Sequence, residues 1–275
     1  MSYIKLVNFE VQRFFKFLVA LIVIVGTTQV IAAFLSAKSF KDHAERVMQQ
    51  ENLLAQEFAL NYGNGTYTIM NFLNFSLFQL SIMFAAAMLL IYIFFIWYRD
   101  WFGKSSFIYR LLMLPTERRN VYFAKLTAIL LFVFSLVGMQ VLLIEVAELI
   151  MKWMIPAELI LESGVITTYS HELMSIFFPQ TIVHFLASYG LGTAIVAMLF
   201  TAILIERSYH LKGIFMAGFY LVLSLALLMI PVFIGGYNNY FYTSELLMIV
   251  ACMALIVFVM AVVIANYLLK RKINV

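Results

Sequence analysis

Two glutamates near the end of one apolar stretch are the first residues whose type and spacing suit chemistry. Glu145 and Glu148 lie three positions apart, which places both carboxylates on one face of a helix. Carboxylates at membrane depth are costly, so such a pair favours a functional role, lining the path of a substrate and meeting its cationic groups. The alternative is that the helix has already reached the outer headgroups, where Lys152 and Trp153 follow as interface residues. The sequence leaves both interpretations open.

Catalytic and metal-binding motifs are absent from the sequence. There is no G-x-x-x-x-G-K-[ST] loop for nucleotide phosphates, no H-E-x-x-H for zinc and no G-x-S-x-G nucleophile turn. His43, His171, His184 and His210 are scattered, with no His or Cys partner at ligand spacing. The single cysteine, Cys252, excludes an intramolecular disulfide. We predict no catalytic residue, no metal site and no cofactor on this chain, and do not expect it to be an enzyme.

The composition identifies the solvent for most of the chain as lipid. Of the 275 residues, 64% are hydrophobic and 12% are charged, against roughly 25% charged residues in an average globular protein. So few charges cannot cover a water-soluble surface. Soluble enzymes and nucleic-acid-binding proteins are therefore excluded, and the net charge of +4 is no reason to expect nucleic acid as a partner.

Six stretches reach the roughly 20 apolar residues that a helix needs to span the hydrocarbon. They do not alternate in polarity as barrel strands would, so we predict an all-α integral membrane protein with one transmembrane domain over residues 1–275. The predicted spans are residues 14–35, 72–98, 126–150, 176–205, 214–234 and 246–269.

The distribution of Lys and Arg predicts the orientation of these spans. The N-terminal arm, the second-to-third and fourth-to-fifth connections and the C-terminal tail together carry fourteen basic residues, whereas the other side carries four. Since cytoplasmic segments are enriched in Lys and Arg, both termini are predicted to be cytoplasmic.

The N-terminal arm, residues 2–17, has a basic amphipathic pattern. Lys5, Arg13 and Lys16 fall on one side at helical spacing and mainly apolar residues on the other, with Phe9 and Glu10 as imperfections. This pattern predicts a helix lying in the cytoplasmic interface before the first span. The alternative is that the arm simply extends the first helix into water.

The connection over residues 99–121 is richer than a link between two helices requires. It begins Arg99-Asp100, continues through an amphipathic stretch around Phe107 and Arg110, and breaks at Leu114-Pro115. Positive-inside charges explain its basic residues but not the short helix and the proline break. We therefore predict that it docks onto a cytoplasmic partner.

The motif Leu114-Pro115-x-x-Arg118, with Lys125 seven residues after the arginine, resembles the cytoplasmic loop of ABC-2 type transporter permeases. Those permeases often show Leu-Pro-x-Ser-Arg followed by a lysine at this spacing; Glu117 stands where they usually have a small hydroxyl residue. The predicted layout agrees over essentially the full length: an interfacial N-terminal helix, six spans, both ends inside and a basic tail.

The resemblance implies the membrane half of a bacterial ABC exporter, located in the cell (inner or plasma) membrane. It implies dimerisation with a second copy or a related permease, and separate cytoplasmic ATPase subunits that bind ATP and Mg²⁺. It makes residues 99–121 a coupling loop. The residues implied as ATPase contacts are Arg99, Asp100, Phe102, Phe107, Arg110, Leu114, Pro115, Glu117, Arg118 and Arg119.

Spans rich in Phe, Met and Tyr with few fixed charges favour an amphipathic substrate, such as a peptide (antimicrobial peptides included), a drug or a lipid-like molecule. Two alternatives belong to other classes: a membrane subunit that senses peptides or confers immunity without transport, and a lipid-modifying membrane enzyme. The enzyme would need Asp, Glu, His or Arg clustered at one membrane depth, and only Glu145 and Glu148 come close.

Overall fold

The computed structural model of the chain describes residues 3–61, 65–101, 111, 113, 117–161, 169, 171–237 and 242–271. The elements in these ranges are helical, apart from one isolated β-bridge between Tyr67 and Ile160. We number the α-helices α1 (Tyr3–Glu51), α2 (Ala55–Asn61), α3 (Ile69–Leu73), α4 (Ser76–Trp101), α5 (Arg118–Met154), α6 (Glu172–Phe177), α7 (Ile182–Tyr237) and α8 (Thr243–Arg271), and a 3₁₀ turn covers Ala157–Leu159.

Six helical segments are long and apolar enough to cross a membrane, which agrees with the predicted number of spans. They are Tyr3–Glu51, Ser76–Trp101, Arg118–Met154, Ile182–Tyr209, Leu211–Phe233 and Thr243–Arg271. Most of them extend beyond the predicted spans. An apolar run ends where charged residues begin, but a helix continues until its backbone is interrupted.

The first helix, α1, runs for 49 residues without a break. It contains no proline, and Gly26 is its single glycine, so nothing in the sequence stops it between the arm and the span. The structure therefore does not separate an interfacial helix at residues 2–17 from the first span. The described part of the arm is continuous with the helix of the first span, and its position in the membrane interface stays a prediction.

Helix α7 contains two spans joined by a sharp reversal near Gly213. A Cβ atom at Gly213 would lie 2.9 Å from Glu206 Cα and 2.6 Å from its carbonyl oxygen. Seven residues of straight helix advance about 10 Å, so the chain must fold back between these two residues. Because backbone fills the space of the missing side chain, glycine is the residue that fits this position.

Contacts group the chain into two compact units that share the long helices. Unit 1 comprises Met1–Phe15, Leu89–Phe132 and Phe178–Val275, and unit 2 comprises Lys16–Met88 and Val133–Phe177.

Unit 1 is built around the fourth span, Ile182–Tyr209. Its most apolar stretch is 56% buried, against 17–39% for the other five spans. Phe200 packs edge-on against Trp97 and Tyr122, and the Tyr122 hydroxyl donates to the Ala197 carbonyl at 3.0 Å. The aromatic ends of α4 and α5 are thus fixed to the fourth span.

Unit 2 has an apolar core that includes Ala44 of α1, Phe58 of α2 and Met151 of α5. Tyr67 closes this core: its backbone pairs with Leu159 and Leu161, and its hydroxyl lies 2.8 Å from Ser36 Oγ. Burial raises the pKa of Tyr67, so its hydroxyl stays neutral at physiological pH.

Candidate functional site

The candidate site is built around Lys125, the eighth residue of α5, whose side chain is fully buried. Its ammonium group donates to Glu10 Oε1 at 2.9 Å, to Asp100 Oδ2 at 2.6 Å and to the Ile96 carbonyl at 2.9 Å. An ammonium has three N–H donors, so Lys125 is fully satisfied by these acceptors. The Nζ atom also lies 5.3 Å from the centre of the Trp97 ring.

Asp100, the next-to-last residue of α4, is the bridge of the site. Its Oδ2 accepts from Lys125, and its Oδ1 accepts from Arg13 Nη1 at 2.7 Å. The Asp100 side chain is 0% exposed, whereas that of Arg13 is 24% exposed. One carboxylate therefore joins α1, α4 and α5.

Arg99 and Glu10 complete the group. The Arg99 guanidinium lies 3.8 Å from the centre of the Phe14 ring, a cation–π contact between α4 and α1. In the described part of the chain, Arg99 Nε, Arg99 Nη2 and Glu10 Oε2 are buried without a hydrogen-bond partner.

We call Glu10, Arg13, Arg99, Asp100 and Lys125 the ion network. Three formal positive charges and two negative ones leave an excess of one positive charge. Moving such charges out of water is costly. Lys125, Arg13 and the two acids form ion pairs, whereas Arg99 lies against the Phe14 ring.

The network lies at the base of the predicted coupling loop and changes how several of its residues are interpreted. Asp100 is fully buried and holds the end of α4 in place, and its assignment as an ATPase contact stays a prediction. Phe102, Phe107, Arg110, Leu114 and Pro115 lie outside the described residues.

The far end of the loop is also held from within the chain. Arg118 Nη1 donates to the Leu269 carbonyl in the last described turn of α8 at 2.8 Å. Arg119 forms an ion pair with Glu117, and both side chains are more than half exposed. Of these three residues, Glu117 and Arg119 retain the surface that a partner contact requires.

A second contact set fixes α4 to the reversal within α7. The Tyr98 hydroxyl donates to the Glu206 carboxylate, and the Arg207 guanidinium lies 4.9 Å from the centre of the Tyr98 ring. Arg207 also lies 5.9 Å from the centre of the Trp101 ring. The last turn of α4 is therefore tied to α1, α5 and α7.

The two glutamates singled out in the sequence belong to unit 2 and not to the ion network. Glu145 is exposed on α5 and Glu148 is half-buried. In the same unit, Gln29 of α1 and Gln140 of α5 form a buried amide pair with reciprocal hydrogen bonds of 3.1 and 3.0 Å.

The sequence prediction missed Glu10 as well as the Gln29–Gln140 pair. The sequence does indicate a buried partner for Glu10, because an acid on the apolar side of an amphipathic segment needs a cation beside it. Lys125, at the start of the third apolar stretch, is a cation that could meet this acid.

Among the described residues, no group of three or more His, Cys, Asp and Glu side chains could hold a metal ion. Comparison of the chain with models of protein families, with curated proteins and with solved structures gives no match.

Proposed function

We propose that this chain is the membrane permease subunit of an ATP-driven ABC exporter, inserted in the bacterial cell membrane with both termini in the cytoplasm. It works as a dimer, with itself or a related permease, and with separate ATPase subunits that carry ATP and Mg²⁺. The substrate is amphipathic: a peptide, a drug or a lipid-like molecule.

The observation that carries the proposal is the buried ion network at the base of the loop. A connection that only linked two spans would not need a lysine, two acids and two arginines at its base, since each buried charge is costly. The resemblance of Leu114-Pro115-x-x-Arg118 to the coupling loop of ABC-2 permeases supports the same conclusion.

The contacts suggest how movement of the loop would reach the spans. A partner that displaces residues 102–117 pulls on Asp100 at one end and on Arg118 at the other. Asp100 holds α1 and α5 through Arg13 and Lys125, and Arg118 holds α8. Closure of the ATPases on ATP would thus bias the whole bundle between two arrangements.

The test is co-purification with a P-loop ATPase. The tagged chain is expressed with ATPases of its own organism, reconstituted in nanodiscs, and assayed for bound ATPase and for ATP hydrolysis. The variant replaces Arg110 and Arg119 by Glu, and leaves Arg118 intact because Arg118 has a partner within the chain. Truncating one partner of a desolvated interface charge pair costs about 2–5 kcal/mol, so charge inversion should reduce association at least tenfold.

The matched control replaces Lys38 and Lys41 by Glu, an equal charge change on the predicted outer side. It should leave ATPase association unchanged. Equal behaviour of the two variants would refute docking at the loop, and absence of any stoichiometric ATPase would refute the permease assignment. Association without substrate-stimulated hydrolysis would favour a subunit that senses a peptide.

A second experiment tests the orientation on which the proposal depends. Gln50 is replaced by Cys in a Cys252→Ser background, and intact cells are treated with an impermeant thiol reagent. Because the four-against-fourteen distribution of Lys and Arg places this part of α1 outside, labelling is expected before lysis. Labelling only after lysis would reverse the orientation.

A further inference from the structure

A cavity of about 580 Å³ lies in unit 2, lined by residues of α3, α4 and α6 and by neighbouring residues. Its volume falls within the roughly 300–1,000 Å³ typical of ligand sites. None of its lining residues belongs to the ion network, all of whose members are in unit 1. The role proposed for the ion network therefore does not account for this cavity.

The polar side of the cavity is formed by Asn74, Gln79, His171 and Glu172. The backbone N–H of Leu173 donates to His171 Nδ1 at 3.3 Å, and His171 Nε2 lies 3.2 Å from Asn74 Oδ1. Since Nδ1 accepts, the Nε2–H of the His171 ring donates a hydrogen bond to Asn74 Oδ1.

This arrangement determines what a ligand would meet. The Asn74 amide oxygen is occupied by His171, which leaves its N–H groups as donors towards a carbonyl. Gln79 offers both a donor and an acceptor, and the exposed Glu172 offers a carboxylate. A carbonyl beside a cation is the combination that a peptide with Lys or Arg side chains presents.

The apolar side of the cavity includes Met70 and Met83. Methionine is unbranched and polarizable, and it recurs on surfaces that accept varied apolar groups. These two side chains suit a ligand whose apolar side chains differ from one molecule to another.

The segments on the predicted outer side of the membrane carry a net negative charge, which is opposite to that of a cationic ligand. With the predicted orientation, ten acidic residues and four basic residues lie outside, whereas four acidic and fourteen basic residues lie inside. The outer acidic residues are Asp42, Glu45, Glu51, Glu57, Glu145, Glu148, Glu158, Glu162, Glu172 and Glu245. Such a field raises the local concentration of cationic ligands.

We propose that this cavity binds a cationic amphipathic peptide, with a Lys or Arg side chain of the peptide on Glu172, peptide amide groups on Asn74 and Gln79, and apolar side chains against Met70 and Met83. The proposal deepens the proposed function by naming its substrate class, and it rests on that function only for the side of the membrane. The site would contact the peptide on the outer face, where an exported peptide is released or an external one is recognised.

The test uses the purified chain in nanodiscs of zwitterionic phosphatidylcholine, so that the lipid does not attract the probe by charge. The probe is a short amphipathic peptide of Lys and Leu carrying a photo-crosslinker, with empty nanodiscs as the blank. Crosslinks are expected on residues 70–83 and 171–173. Glu172→Gln should weaken binding about tenfold, which is a change of 1.4 kcal/mol.

The control variant Glu158→Gln removes the same charge from the same unit at an exposed position outside the cavity lining, and should bind like the parent chain. Glu172→Lys should reverse the charge preference of the site, so that it binds a peptide of Glu and Leu more tightly than the peptide of Lys and Leu. Misfolding cannot produce such a gain. Equal binding by Glu172→Gln and Glu158→Gln, crosslinks confined to other segments, or no exchange of preference would overturn the site.

Because the assay contains no ATPase, its result separates the two proposals. Peptide binding by a chain that recruits no ATPase would uphold this site and refute the permease function. ATPase recruitment with failed peptide binding would do the reverse.

Discussion

Helices α1 and α5 are linked twice, by two different chemistries. In unit 1 the link is Lys125 to Glu10, supported by Asp100 and Arg13. In unit 2 it is Gln140 to Gln29, two neutral amides that satisfy each other. Both links are buried, and they differ in whether the buried groups carry formal charge.

The two links differ in how many partners they need and in how much stability is lost when one partner is removed. A neutral amide pair needs one partner of the right length, and losing that partner leaves one unsatisfied amide. A charged network needs several residues from three helices at once, and losing one member leaves a buried charge. The ion network therefore depends on more residues than the amide pair does. It lies at the base of the predicted coupling loop, where the proposed function requires movement to be transmitted.

The largest expected effect is that of Lys125→Met. It removes the cation that is hydrogen-bonded to Glu10 and leaves Asp100 hydrogen-bonded to Arg13, and breaking a buried ion pair costs about 3–5 kcal/mol. The free energy of unfolding, measured by denaturant titration in mixed micelles, should fall by that amount. Lys152→Met, at an exposed position of the same helix, should change it by no more than about 0.5 kcal/mol.

A compensated variant sharpens this result. Glu10→Gln combined with Lys125→Met keeps the net charge of the network and removes the stranded carboxylate, so about half of the loss or more should return. If the double variant were as unstable as the single one, packing of the lysine side chain, and not charge pairing, would hold α1 to α5.

The middle effect is that of Gln140→Leu. It leaves the buried Gln29 amide without its partner and should cost about 1–2 kcal/mol. Replacing both glutamines by Leu should restore most of the stability, because no unsatisfied amide remains. A double-mutant cycle measures the coupling energy, and a value near zero would show that the pair does not bind the helices together.

The smallest effects are expected at the far end of the loop. Arg118→Ala removes one hydrogen bond to the Leu269 carbonyl and should cost about 1 kcal/mol. Arg119→Ala breaks an exposed pair with Glu117 and should stay within about 0.5 kcal/mol. The opposite order would mean that Arg119, not Arg118, anchors the loop to the chain.

The sequence predicts the spans well because a membrane helix needs only a long apolar run, which one stretch of sequence contains. It predicts their ends less well, since α1 continues to Glu51, beyond the last apolar residues. Arg99, Asp100 and Lys125 stand out in the sequence, whereas Glu10, the partner of Lys125, appears there only as an imperfection of the amphipathic pattern. An ion pair between two helices depends on how the helices pack together, and the sequence of one segment does not show this packing.

The reversal at Gly213 has a consequence for how the protein enters the membrane. Because the chain folds back between Glu206 and Gly213, with Cα of the first 2.9 Å from a Cβ on the second, the fourth and fifth spans form one helical hairpin. We expect such a hairpin to be inserted as a single unit during synthesis, so that both of its members acquire their orientation together. Added charges near Arg207 and Lys212 should therefore invert both spans or neither.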